Sequence, residues 1–340
     1  MNNTSTIVKI TAAFLSLISF FIYGVYTLFI KEQPGSGGGF EYVNVFAPGV
    51  SGGETENTQS AALPEENTES TKAVATAGGE ALGKVIKNTI KNSSANLSAN
   101  GVHIKNSTGL NIDLNEFLSG KLGYTIKKDS TPQVLILHTH ATECFLSEDR
   151  DYYTAADNSR TTDNSLNVTA LGAIVAEKLN NAGINTLHDS TQHDYPSYNQ
   201  SYSRAAKTIK AYLKKYPGIK VVIDIHRDSV QNGTTKTKLT TDIDGKPAAQ
   251  VMLVMGSQSG NVKNFPNWKE NLKLAVRLQK NLESTYPTLA RPLSLMSRSY
   301  NEPLTTGSML IEIGTDANSF GEAVYSAQLL SNSLIKTLGS

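Results

Sequence analysis

Cysteine is almost missing: Cys144 is the only one in 340 residues. That excludes a disulfide framework and any multi-cysteine zinc or iron–sulfur site. A metal in this chain has to be held by histidines and carboxylates. An excess of one charge is lacking too, since 31 Lys and Arg against 30 Asp and Glu leave +1. The chain therefore carries no overall electrostatic footprint for nucleic acid. No internal repeat is apparent, and the length suggests about two domains at roughly 150 residues each.

What is present is unevenly spread. Ile10 to Ile30 is a run of 21 uncharged residues, enough to cross about 30 Å of hydrocarbon at 1.5 Å per residue. Lys9 and the amino terminus precede it, while Lys31 and Glu32 cancel after it. This bias places residues 1–9 in the cytoplasm as a short N-terminus, with everything after Lys31 outside. The run is long for the core of a signal peptide, and Tyr23 to Ile30 offers no small-residue cleavage site, which favours a retained single-pass anchor over 10–30. Beyond it, Pro34 to Gly39 reads PGSGGG, and residues 31–80 hold eight Glu against Lys31 and Lys72. So polar a stretch suits a flexible tether, with a short module around Phe40–Pro48 as the alternative. The tether is expected to run over 31–105. Within it, Leu82, Val85, Ile86 and Ile90 are spaced as on a short basic amphipathic helix.

From residue 106 to 340 the pattern predicts one folded domain. Val134 to Leu137 is an apolar run ending in His138-Thr139-His140. A helix capped by Asp163 or Asn164 follows, then a short strand over Ile184–Leu187 and a helix over 198–216. Val221 to Ile225 is the clearest strand, and it runs straight into His226. Asp244-Gly245 is a hairpin signal. A helix over 268–286 and a strand, Met309 to Ile313, precede a last helix beginning at Asn318. Strands alternating with helices predict an α/β fold with a mainly parallel sheet flanked by helices. Ligands in such sheets bind beyond the carboxyl ends of the strands, where His140, His226 and Glu312 fall.

Those strand ends carry the chemistry. His140-Ala-Thr-Glu143 is an H-x-x-E, whose loop can turn both side chains to one cation, and His226 can supply a third ligand. Two His and one Glu with an open fourth position is a catalytic zinc set. Glu312 interrupts the apolar strand Leu310-Ile-Glu-Ile313, where an unpaired acid is costly, and a role as proton acceptor at the metal accounts for it. Asp224 or Asp228 suits the orienting of a ligating imidazole, or the pairing of Arg227. His138 is either a further ligand or a donor to the reacting carbonyl. Tyr198, Tyr202, Arg298 and Asn301 are candidate substrate contacts. His188 and His193 are expected as exposed loop residues, and Cys144 as a free thiol without a role.

The segments VLILHTHATECF, VVIDIHRD and MLIEIG followed by Asn318 resemble the stage II sporulation protein P family of endospore-forming bacteria, over roughly residues 130–340. The layout of anchor, polar linker and C-terminal domain is similar too. The resemblance implies a zinc amidase-like fold, a sporulation-specific branch of the zinc-dependent N-acetylmuramoyl-L-alanine amidases. It implies zinc held by His140 and His226, with Glu312 as the catalytic acid. The ligating carboxylate of typical amidases comes later, on a helix, and the H-x-x-E here is nearer to metallocarboxypeptidase spacing. Glu143 and Glu148 both remain open for that role. The usual Asp-x-Gly-His-Gly-Gly start is replaced by His138-Thr139-His140. The family implies hydrolysis of peptidoglycan, by amidase and endopeptidase cleavage, at the septal membrane during forespore engulfment. Stage II sporulation proteins D and M are the implied partners. Two rival functions remain from the residues alone: a membrane-tethered wall-binding module without catalysis, and a zinc carboxypeptidase using Arg227 or Arg298 to hold a terminal carboxylate.

Overall fold

The computed structural model describes residues 80–339. The expected short N-terminus over 1–9, the expected anchor over 10–30 and the first part of the expected tether, 31–79, lie outside the described residues. Among those described, no helix is long and apolar enough to cross a membrane.

The described residues begin with strands β1 (Ala81–Asn88), β2 (Leu97–Ala99) and β3 (Val102–Asn106), then helix α1 (Leu114–Ser119). It continues through β4 (Val134–Leu137), β5 (Tyr152–Thr154), α2 (Val168–Asn181), β6 (Thr186–His188) and α3 (Ser201–Lys215). Next come β7 (Val221–Asp228), β8 (Gln231–Asn232), β9 (Thr235–Ile243), β10 (Lys246–Ala249) and β11 (Val251–Gly256). Helix α4 (Trp268–Thr285), β12 (Leu293–Met296), β13 (Ser308–Thr315) and α5 (Phe320–Leu338) complete it. Eight strands form one sheet in the order β2-β3-β12-β11-β13-β7-β4-β6, and a second sheet runs β10-β9-β1-β5 with β8 on β9.

The α/β class holds, but the sheets are mixed. In the large sheet β6, β4, β7 and β13 are mutually parallel, whereas β11 is antiparallel to β13 and β2 to β3. A parallel pairing needs a crossover, usually a helix. Residues 229–250 supply a hairpin instead, which turns at Asp244-Gly245 with φ of 52° and 74° and pairs Ile243 with Lys246. The chain leaves that hairpin and enters β11 in the opposite sense.

The expected tether ends too late. Residues 81–88 are a strand, not a basic helix, and the fold already includes residues 81–106, ahead of the expected boundary. β1 runs parallel to β9 and antiparallel to β5. The helical spacing had no apolar surface to meet: Val85 is buried, but Leu82 and Ile86 are 55% and 48% exposed. Gly83 weakens a helix and here allows close approach, since a Cβ would sit 1.9 Å from the Thr234 carbonyl. The sheet satisfies this segment's backbone from both sides.

Alternation along the central strands places the site. Val134 and Ile136 of β4, Val221, Ile223 and Ile225 of β7, and Met309, Ile311 and Ile313 of β13 enter the large core with α2, α4 and α5. Leu135, Leu137 and Val222 face the other way, into a smaller core beneath Ala205 and Ile209 of α3. Period 2 puts Asp224, His226 and Glu312 on this second face. Of the cap signals, Asn167 caps α2 by accepting from Thr169 N, while Asp163 closes a turn on Ser165 instead. Ser319 and Glu322 form a capping box at α5.

Candidate active site

Parallel pairing sets Glu312 of β13 directly beside His226 of β7. His140 follows β4, and its ring stands edge-on to His226 with centroids 5.2 Å apart. The Glu143 carboxylate completes the cluster, with Oε2 3.4 Å from His226 Nδ1. Its other neighbours are Arg227, whose backbone N–H donates to Oε2 at 3.2 Å, and Arg160 at 3.7 Å. The structure thus brings together the four residues expected at the metal and at the proton transfer. Glu148 is exposed and does not join them.

Asp224 stands against the far side of the His226 ring. Its Oδ1 lies 2.9 Å from His226 Nε2 and accepts from Thr139 N, while Oδ2 accepts from the Thr139 hydroxyl. Asp228 does not share this position, because it binds Arg291 at 2.9 Å. Burial works against protonation of His226, yet the flanking Asp224 and Glu143 carboxylates outweigh it and hold the imidazole well above its usual pKa. Burial likewise opposes ionisation of Glu143, but Arg227, His226 and His140 keep it far below the usual carboxylate range. His140 is pushed down to about 4 by burial. Glu312 is pushed up to about 8 by burial, with Asp228 and Glu143 adding to the effect and His226 opposing it.

Several expected contacts lie elsewhere. Buried His138 turns from the site, with Nδ1 on the Ile225 carbonyl and Nε2 on His188 Nε2, both at 2.9 Å. His193 is also buried, bridging the His138 carbonyl and Thr208. The loop histidines are therefore packing residues, not exposed ones. The Arg227 guanidinium is spent on the carbonyls of Cys144, Ser159 and Asp228, so it offers no pocket for a terminal carboxylate. Asn301 donates to the Tyr202 carbonyl at 2.8 Å, and Arg298 Nε is buried without a partner. Cys144 donates to the Asn158 carbonyl, and burial pushes its thiol up to about 11, as suits an inert group.

Tyr198 does reach the site: its ring stacks on His140 at 4.4 Å and 13°, with half of its surface open. Tyr202 meets the same imidazole edge-on at 5.5 Å. Arg160 lies over Tyr198, 4.8 Å from the ring centroid, and was not foreseen. It sits in a polar stretch with no periodicity, and only the bridge pairing Glu143 with Arg160 brings it here.

As they stand, no three His, Cys, Asp or Glu among the described residues are drawn close enough to hold a metal ion. The donor chemistry nonetheless fits one. His140 Nδ1 is buried without a partner, an orphan that normally calls for an explanation. His226 Nδ1 faces a carboxylate, and its far nitrogen faces Asp224, the arrangement that orients ligating histidines. A dication at these donors would compete with protonation of His226.

A family model described as stage II sporulation protein P (SpoIIP) matches residues 41–335. The stage II sporulation protein P of Bacillus subtilis strain 168 is 30% identical over 200 residues, covering 56% of this chain and 47% of that protein. The chain thus aligns with about half the length of that relative. Among solved structures, the CwlD amidase of Clostridioides difficile in complex with the GerS lipoprotein overlaps 61% of this chain and 98% of its own, at 12% identity and a TM-score of 0.38. The apo N-acetylmuramyl-L-alanine amidase Ami1 of Mycobacterium abscessus overlaps 61% and 99%, at 13% identity and a TM-score of 0.35. The match over residues 41–335 spans most of the sequence, and the chain belongs to the stage II sporulation protein P family.

Proposed function

We propose that this chain is a zinc-dependent peptidoglycan hydrolase, an N-acetylmuramoyl-L-alanine amidase with endopeptidase cleavage as a second activity. It works from the outer face of a membrane during engulfment in sporulation, tethered by residues 10–30. The stage II sporulation proteins D and M are its proposed partners. One observation carries the reading: the orphaned Nδ1 of buried His140 beside His226 and Glu143, with Glu312 in register on the neighbouring strand. Family membership supports the setting.

In this reading His140, Glu143 and His226 hold zinc, which supplies Lewis-acid polarisation of the amide carbonyl and lowers the pKa of water. Asp224 sets its carboxylate 2.9 Å from His226 Nε2, where its charge favours one orientation of the ring. Glu312 takes a proton from the attacking water and delivers it to the leaving amine. A carboxyl pushed up to about 8 suits a group that must accept and release a proton near neutrality, and a dication at the adjacent donors would draw it lower. Tyr198 covers one face of His140, limiting water on that side. Arg227 does not serve the carboxypeptidase reading, since its guanidinium is occupied by backbone carbonyls.

The test is metal analysis of the purified protein together with digestion of sacculi. One zinc per chain, lost in His140→Ala and His226→Ala, is expected. Free stem peptides beginning with L-Ala mean amidase, and shortened stems still on muramic acid mean endopeptidase. Zinc content equal in wild type and both variants overturns the metal assignment. Release of neither product from zinc-loaded protein supplied with protein D leaves a wall-binding module.

A further inference from the structure

Arg160 is placed with care and used only in part. The backbone around it is laced to the site loop: Cys144 N–H donates to the Ser159 carbonyl at 3.1 Å and Thr161 N–H to the Thr142 carbonyl at 2.7 Å. This fixes Arg160 opposite Glu143. Its Nη1 donates to Asp194 Oδ2 at 2.7 Å and to the Thr142 hydroxyl at 3.2 Å. The Asp194 side chain is fully buried and is itself held by the Thr142 amide and hydroxyl. The guanidinium lies on Tyr198, the ring that stacks on His140.

One nitrogen does all this hydrogen bonding. An arginine serving only to neutralise a carboxylate commonly presents two parallel N–H groups to it. Here Nη2 comes no closer than 3.7 Å to Glu143 Oε1, beyond hydrogen-bond reach, and the side chain keeps 39% of its surface open. The surroundings are acidic: Glu143, Asp194, Asp224 and Glu312 all lie within the cluster or against it. Of the arginines beside the histidines, Arg227 is taken up by backbone carbonyls, whereas Arg160 keeps an open N–H edge for an anionic group.

We infer that Arg160 is a specificity residue of this site, whose free N–H edge receives a carboxylate borne on the peptide side of the scissile amide, within a residue or two of it. Tyr198 is the platform on which the guanidinium lies, 4.8 Å from the ring centroid. The inference rests on the amidase reading for the identity of the scissile bond, and its test is separable from that reading.

Binding is measured on the full chain carrying Glu312→Gln, so that ligand is not consumed. The probes are two muramoyl peptides identical except that the residue after L-Ala bears a free α-carboxylate or the carboxamide. The carboxylate is expected to bind about ten- to hundredfold more tightly, the usual range for a hydrogen bond to a charged group. Adding Arg160→Gln should bring that ratio close to one, and Arg160→Lys should restore part of it, since the charge returns without the fork. Equal affinity for the two peptides overturns the inference, as does a preference that persists in Arg160→Gln. Loss of the amidase reading would show separately, as absent turnover in the chain with Glu312 intact.

Discussion

Glu312 and His226 are register partners on adjacent parallel strands, so the sheet itself sets the acid beside the imidazole. Neither a flexible loop nor a hinge intervenes. The strand gives Glu312 a fixed backbone position, and its Oε2 is buried with no partner. A carboxyl left so in a protein interior is costly unless the site uses it.

The first prediction follows from that pairing. Glu312→Gln keeps the shape but can no longer accept a proton. Zinc content should equal that of wild type, while turnover on sacculi should fall by about 10² to 10⁴, the range of a general acid–base. Residual activity near wild type with a lowered melting temperature would make Glu312 a structural residue.

Asp224→Asn isolates the orienting role. The amide can still accept from Thr139, but it no longer holds a charge against His226 Nε2. Zinc affinity, read by competition with a chelator, should drop about 10- to 100-fold, with the circular dichroism spectrum unchanged. Unaltered affinity would separate Asp224 from the metal centre.

Deletion tests the boundary of the fold. A fragment starting at residue 80 should fold, whereas one starting at 106 should be severely destabilised. It would lose β1 from the interior of the small sheet, together with buried Val85, Val102 and Ile104. Each such side chain is worth about 1.5–3 kcal/mol, against a total stability of about 5–15 kcal/mol for a domain. A cooperative, wild-type-like denaturation curve for residues 106–340 would refute this.

What could be seen in the sequence was what the chain buries on both faces. β4, β7 and β13 are short runs of Val, Ile and Leu, and the polar residues at their ends mark where the sheet stops covering itself. His140, His226, Glu143 and Glu312 were legible for that reason. β1 was not, because its outer face is half exposed and its few apolar residues fit a helix as well as a strand. Arg160 was invisible since only tertiary pairing brings it near His140, whereas Tyr202, close to Tyr198 in the sequence, was among the candidate contacts. His138 shares the polar run after β4, but the chain turns its ring toward α2. Nothing local distinguishes an imidazole facing a cleft from one facing a helix.

The pairing of His138 with His188 yields the last prediction. The Ile225 carbonyl can only accept, so His138 Nδ1 donates, its Nε2 accepts, and His188 Nε2 is the donor between them. Both rings lie against Gly172, where a Cβ would fall 2.5 Å from His138 Nε2 and 2.8 Å from His188 Nε2. There is no room for a second proton between the nitrogens. Burial pushes His188 down to about 4 and His138 to about 3. The unfolded chain takes up its protons near pH 6.5, so in this window it binds more protons than the folded one, and stability rises with pH. The contribution is fully present above about pH 6.5 and is lost as pH falls toward 4. For His188 alone it amounts to about 3 kcal/mol at most, from the shift in its pKa. His188→Gln retains a donor toward His138 but does not titrate. Denaturant unfolding of residues 80–340, with chelator present to remove metal linkage, should show the variant less stable than wild type at pH 7.5. The gap should narrow or reverse at pH 4.5. A difference independent of pH would mean that His188 titrates as it does in water, and that the pair is not sealed beneath α2.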